Sequence, residues 1–362
     1  MADLSAPSTT ASQTSNLLGI YYDRVLLENL YPELRFYPLA EKRPIPKGVA
    51  KTITFSKMTA LAAVSGDLTE GVPPSPTWLS SSQITATLVQ KGAYVPISDL
   101  LTMTAIDPIV EDAAAELGRQ AGETVDKYIY YRCFGDASSE ADAEQTGIGG
   151  GITLDWSNLY KQHPTAAKQG FSTLFFSQNG SIPSAAALKS FLTGTSAATA
   201  AEYGLTVDTI RRAVYQLKND NVPAFKDGKY VMVVHPDSAL TLQRDQEFKE
   251  WNSPNDADKM FNGEVGVVAG CRILQSTNIA KTASSTFSVG TVISGVFNML
   301  LAPKALAVTE IDGHIHMKVK PAGSAGSVDP LDQVSTVGWK WTGVAKVIDE
   351  KRGKCIITLA NN

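Results

Sequence analysis

Cysteine is scarce in this chain. Cys133, Cys271 and Cys355 are too few and too far apart for a disulfide framework, and no Cys-x-x-Cys pair is present, so reduced thiols and a protein made in a cytoplasm are expected. Basic excess is missing too: 32 Lys and Arg against 36 Asp and Glu leave a net charge of −4. That excludes a dedicated electrostatic grip on nucleic acid and leaves only sequence-independent contact. No long apolar run is uninterrupted, since the richest window, Val289 to Val308, contains Asn298, Pro303 and Lys304, and no membrane span is expected. Residues 1–16 hold seven Ser or Thr, no aromatic residue, no basic start and no apolar stretch. They read as a polar arm that cannot order itself, and no secretory leader is expected. The signatures of a nucleophile elbow and of a phosphate-binding loop are also missing.

Hydrophobic residues make up 43% of the chain, enough for a sizeable core and, at this length, for about two domains. The organising stretch runs from Asp107 to Cys133 and predicts one long amphipathic helix. Asp107 suits the N-cap and Pro108 the first helical position, where a missing N–H costs nothing. Glu111 and Asp112 face the positive end of the helix dipole, and Arg132 the negative end. Val110, Ala113, Leu117, Ala121, Val125, Tyr128 and Tyr131 recur in steps of three or four, with Glu116, Arg119, Glu123, Asp126 and Lys127 on the other faces. At 1.5 Å per residue the rod is about 40 Å long, a spine more than a local cover.

Upstream, residues 17–31 predict a short helix with Tyr21, Val25, Leu26 and Leu30 on one side and Arg24 elsewhere. It has too little core of its own and must pack on another element, of this subunit or of another. Alternation at residues 52–56 and 83–88 gives two strands that pair as a hairpin. Between them lies a loop with Leu68, Glu70, Val72, three prolines and Trp78. A loop of this length either folds back on its own domain or lies on a neighbouring subunit, and apolar side chains at its tip favour the second. Residues 134–204 are rich in Gly and Ala. From Thr206 onward a helix, a strand (229–234), a turn at His235-Pro236 and a further helix predict an α/β region. The final stretch, 336–359, reads as a hairpin returning beside the spine.

Chemistry-bearing residues form no strong constellation. Gly147 to Gly151 follows no strand and reads as a connector. His314 and His316 share one strand face, half a metal site with no third ligand near in sequence. Asp256, Asp258, Asn262 and Glu264 miss the glycine spacing of a calcium loop. Trp339 and Trp341 share a strand face and read as core or interface. No cofactor and no metal are expected.

The order of arm, long hairpin, spine helix, α/β region and returning strands resembles the tailed-bacteriophage major capsid proteins, whose fold is shared with herpesvirus shells and bacterial encapsulins. Closer motifs resemble the branch of the N-four-like podophages and related prophages: Ala93-Tyr94-Val95-Pro96-Ile97-Ser98-Asp99, Val234-His235-Pro236, Phe261-Asn262-Gly263-Glu264-Val265-Gly266, Gly270-Cys271-Arg272-Ile273-Leu274 and Val337-Gly338-Trp339-Lys340-Trp341. The resemblance implies an α+β chain divided into an arm with a short helix (1–50), an extended hairpin loop (51–95), a peripheral domain (96–135 and 322–362), an insertion (136–205) and an axial domain (206–321). It implies a non-enzymatic subunit that assembles with itself as hexamers and pentamers around double-stranded DNA, in the host cytoplasm, with a separate scaffolding protein, a portal and a decoration protein as partners, and no membrane. Subunit contacts are then expected at Leu68, Glu70, Val72 and Trp78 on the loop and at Tyr21 and Arg24 on the first helix, and charge pairs between or within subunits at Arg119, Glu123, Asp126 and Lys127 on the spine. With Lys57 at the hairpin base and no Lys from Met58 to Gln90, the covalent loop crosslink of some relatives does not carry over. The alternatives are an encapsulin-like compartment, told apart by protein cargo, and an α+β hydrolase or ligand-binding protein of small oligomeric state.

Overall fold

The computed structural model describes residues 24–30, 33–43, 45, 51–58, 61, 63–64, 67, 70–71, 76–104, 109–133, 171–174, 204–251, 264–279, 285–286, 292–310, 315–321, 331 and 333–361. In chain order the helices are α1 (24–30), α2 (Asp99–Thr104), α3 (Ile109–Arg132), α4 (Val207–Asn219), α5 (Pro236–Arg244) and α6 (Gln246–Trp251). The strands are β1 (Glu41–Lys42), β2 (Thr52–Met58), β3 (Ser81–Thr87), β4 (Val89–Ser98), β5 (Ser172–Leu174), β6 (Tyr230–Val234) and β7 (Glu264–Val268). They continue with β8 (Cys271–Gln275), β9 (Ser285–Thr286), β10 (Val292–Leu301), β11 (Leu306–Glu310), β12 (His316–Lys320), β13 (Val334–Val347) and β14 (Gly353–Asn361).

Three sheets result. Strands β2 and β3 pair only with each other, antiparallel from Thr52 opposite Thr87 to Met58 opposite Ser81. The long strand β13 centres a five-stranded sheet, with β4 along one edge and β11 and β12 along the other, and β1 beyond β11. The third sheet runs β5-β14-β10-β6-β8-β7, with β9 against β10. This pairing runs across the expected division at 321/322. Strands β11 and β12 join the spine-side sheet, while β14 leaves it to pair with β10, Leu301 opposite Gly353 through Ile293 opposite Asn361. The last hairpin therefore does not stay beside the spine. A strand such as β14, apolar on both faces at Ile356 and Ile357, suits any buried sheet, and its sequence cannot name the partner.

Helix α3 has acids in its first turn and Arg132 in its last; the expected cap at Asp107 and Pro108 lies outside the described residues. Its buried set, which includes Ala114, Leu117, Gly118, Ala121, Gly122, Val125, Asp126 and Ile129, is wider than one stripe because two elements cover it. On one side lies β13, whose Trp339 donates from Nε1 to Gln120 Oε1 at 3.1 Å and whose Trp341 meets Tyr128 edge-on at 5.4 Å. On the other lies α1, so the first helix packs on its own spine, with Leu26 and Leu30 buried.

One core runs through both large sheets. It joins Leu117, Val125 and Ile129 of the spine, Trp339 and Trp341 of β13, and Phe297, Met299, Cys355 and Ile357 of β10 and β14. A second cluster packs α4 and α5 on the other face of the seven-stranded sheet, with Ile210, Val214, Leu217, Met232, Leu242 and Ile273 at its centre. The chain passes directly from one sheet to the other at 302–305 and at 348–352, and these two crossings are bonded side by side: Ala302 N donates to Arg352 O and Ile348 N to Ala305 O, both at 2.9 Å.

Candidate assembly interface

The hairpin is anchored at its base. Phe55, Ile84, Ala86 and Leu88 form a small core with Ala307 and Val344 on the outward face of the spine-side sheet. Lys57 Nζ lies 2.7 Å from Asp349 Oδ1 at the β13–β14 crossing. Beyond this base, Met58, Leu61, Val64 and Leu79 are exposed and Trp78 is 82% exposed. Glu70 is also exposed; Leu68 and Val72 lie outside the described residues. Among the described residues, large apolar side chains thus stand in water at the end of a two-stranded ribbon.

Burial pushes the Asp349 carboxyl up, but the hydrogen bond and charge of Lys57, with the Lys351 amide and Arg352, more than offset it and hold the group below the ordinary aspartate value. Because its folded value is depressed, this contribution is present above the unfolded pKa and is lost as pH falls through the folded one. Lys57→Ala is expected to loosen the base by about 1 kcal/mol, since solvent partly screens the pair. Hydrogen exchange at Phe55 and Ile84 measures it: the protection of these amides, relative to their unstructured rate at each pH, should fall on acidification in the parent and be lower from the start in the variant.

The spine residues behave differently from one another. Arg119 contacts Glu116 at 2.6 Å and Glu123 at 3.5 Å, and Lys127 pairs with Glu123, all along one helix. These are surface pairs within the subunit. Asp126 is a correction: it is fully buried, so it is no surface charge for a neighbouring subunit. Its Oδ1 accepts from the backbone N–H of Arg35 at 2.9 Å, Phe36 at 2.7 Å and Tyr37 at 3.4 Å, and its Oδ2 from Asn278 Nδ2 at 3.1 Å. Burial outweighs these bonds and raises its pKa. The carboxylate ties the segment after α1, and the loop after β8, to the spine. Arg24 is exposed and pairs with Glu28 at 2.9 Å, while Tyr21 lies outside the described residues.

Groups that could suggest an enzyme are committed elsewhere. His235 Nδ1 accepts from Asp237 N at 3.2 Å and caps α5. Ser238 Oγ is buried against Thr358 Oγ1 at 3.0 Å and accepts from Asn298 Nδ2 at 3.1 Å. All three thiols are buried and their pKa values are pushed up by that burial. Among the described residues no group of His, Cys, Asp and Glu could hold a metal; His314, Asp256, Asp258 and Asn262 lie outside them. No helix among the described residues is long and apolar enough to cross a membrane.

A subunit built on a long spine helix, with a hairpin anchored on the spine-side sheet, is a tailed-phage capsid fold. The chain matches the model of the phage capsid protein family over residues 82–355 and belongs to that family. It is similar to the capsid of Ralstonia phage GP4, with 14% identity over 90% of this chain and 88% of that one and a TM-score of 0.58. The capsid of cyanophage P-SCSP1u is similar at 15% identity over 89% and 87%, TM-score 0.55. The cyanophage Pam1 capsid is similar at 14% identity over 100% and 99%, TM-score 0.53. No curated protein matches. The chain is a major capsid protein: its role is structural and non-enzymatic, it associates with itself into the shell, and its place is the virion capsid.

Proposed function

We propose that this chain builds the head of a phage of the N-four-like branch and its related prophages, and that its hairpin is the arm by which one copy holds the next. Copies gather as hexamers and pentamers around double-stranded DNA in the host cytoplasm, guided by a separate scaffolding protein and completed by a portal and a decoration protein. The α/β region around α4, α5 and the seven-stranded sheet gathers about the symmetry axes, and the spine with β13 forms the periphery. The observation that carries the arm reading is Trp78, 82% exposed beyond a base that is itself well anchored. Repeated around closed symmetry, such a modest contact sums to a stable particle.

Glu70→Lys and Trp78→Ala test the arm. Each is expected to leave the folded chain intact, because both side chains are exposed, and to abolish sedimenting shells or rings in negative-stain micrographs. Normal assembly of both variants would sink the proposal.

A further inference from the structure

A strand at the rim of a sheet offers unpaired N–H and C=O groups to any other chain, and folded proteins blunt such rims. Several rims here carry their own protection. Strand β7 has a register break between Glu264 and Gly266, a bulge that bends its free edge away. Strand β12 holds exposed Lys318 and Lys320, and β4 contains Pro96, which has no N–H to give. Strand β14 has none of these devices. It pairs with β10 without a break from Gly353 to Asn361. It is apolar on both faces, at Ile356 and Ile357. Its one charged residue, Lys354, is buried and held 3.1 Å from Asp220.

Among the described residues, what covers the free edge of β14 is β5, parallel to it from Ser172 opposite Lys354 to Leu174 opposite Ile356. At 3 residues, β5 is itself too short to template another strand. A pairing this short needs an anchor, and Phe171 supplies it. Its N–H donates to Cys133 O at 2.8 Å and its side chain is buried. The ring lies on Gly353, where a methyl group would stand 2.5 Å from it. Gly353 has φ −140°, extended backbone open to any residue. The glycine is therefore there to make room for the ring. We infer that β5 is a guard strand: seated by Phe171 on Gly353, it keeps the edge of β14 from pairing with the same edge of a second copy. Shell building crowds many copies together. A bare strand apolar on both faces would join two of them edge to edge, antiparallel about a twofold axis and outside the contacts that make a shell. One buried ring holds the guard down, so one methyl group at Gly353 is enough to lift it.

Gly353→Ala and Phe171→Ala test the guard in the full chain. Each should lower hydrogen-exchange protection across 354–356 by about tenfold or more while the spine amides stay protected. Each should also divert the protein into thioflavin-positive, fast-sedimenting assemblies that the parent does not form. A synthetic peptide of residues 168–174 should suppress these by adding the strand back in trans, and the same peptide carrying Phe171→Ala should not. Variants that lose protection at 354–356 yet stay thioflavin-negative would overturn the guard, since the bare edge would then attract nothing. Unchanged protection at 354–356 would overturn it too, because Phe171 would not be what seats the strand. Loss of protection throughout the spine would make β5 a part of the core instead of a guard. Each of these failures leaves the arm reading standing, because no step here uses the hairpin.

Discussion

Asp126→Ala is expected to destabilise the subunit more than any surface substitution, by about 3 to 5 kcal/mol. The carboxylate accepts three consecutive backbone N–H groups and the Asn278 amide, and alanine leaves those donors buried without an acceptor. Asp126→Asn keeps one oxygen for the backbone but sets an NH2 against Asn278 unless that amide turns over, so its cost should be well under that of alanine. Urea unfolding measures both. The pH dependence carries a sign. Burial raises the Asp126 pKa above the ordinary aspartate value, so between the unfolded and folded values the folded state holds more protons. Its contribution therefore declines as pH rises through that window. The stability of the parent minus that of Asp126→Asn should fall across mildly acid pH; a flat difference would contradict the assignment.

Gly118→Ala with Gly122→Ala is expected to lift α1 from the spine. A methyl group at Gly118 would stand 2.5 Å from Leu26 O, and one at Gly122 would stand 2.7 Å from Leu30 O. Both obstacles are backbone atoms of the crossing helix, which no rotamer change can move. Alanine gains about 1 kcal/mol of helix propensity at each site, but overpacking costs about 1 to 3 kcal/mol at each. Contacts this short sit at the upper end of that range, so the clash wins and the net loss is about 2 to 4 kcal/mol. Loss of the Leu26 and Leu30 contacts should raise the open population about 30-fold or more. Limited proteolysis between Arg24 and Arg35 reads this directly, and unchanged cleavage would show that the helix pair relaxes without cost.

These two sites show where the sequence was legible. Alternation at Thr52 to Ser56 and at Gln83 to Leu88 located the hairpin, because a two-stranded ribbon follows local pattern alone. The spine was legible for the same reason, in its first-turn acids and its repeats of three and four. Asp126 was misread because its charge suggested a surface, although its spacing from Gly122 and Ile129 places it on the buried side. What makes burial tolerable is the backbone near Phe36, 90 positions away, and periodicity carries no trace of that. Gly118 and Gly122, one turn apart, were the available signal for a close helix crossing. The partner of β14 was hidden because strands apolar on both faces look alike, whichever sheet they join. The exposed loop residues differ again: nothing inside one subunit fixes the roles of Glu70 and Trp78.

The paired crossings at 302–305 and 348–352 also bear on how large a particle can be. They strap two sheets across one continuous core, so a tilt of one sheet against the other would break bonds and open that core. Icosahedral closure asks the same tile to sit in rings of five and of six, at different tilts. A tile that cannot bend must leave that difference to its seams. On the proposed arm reading, curvature, and with it the interior volume, is then set by the ribbon beyond Met58 and Ser81 and by the surfaces it meets.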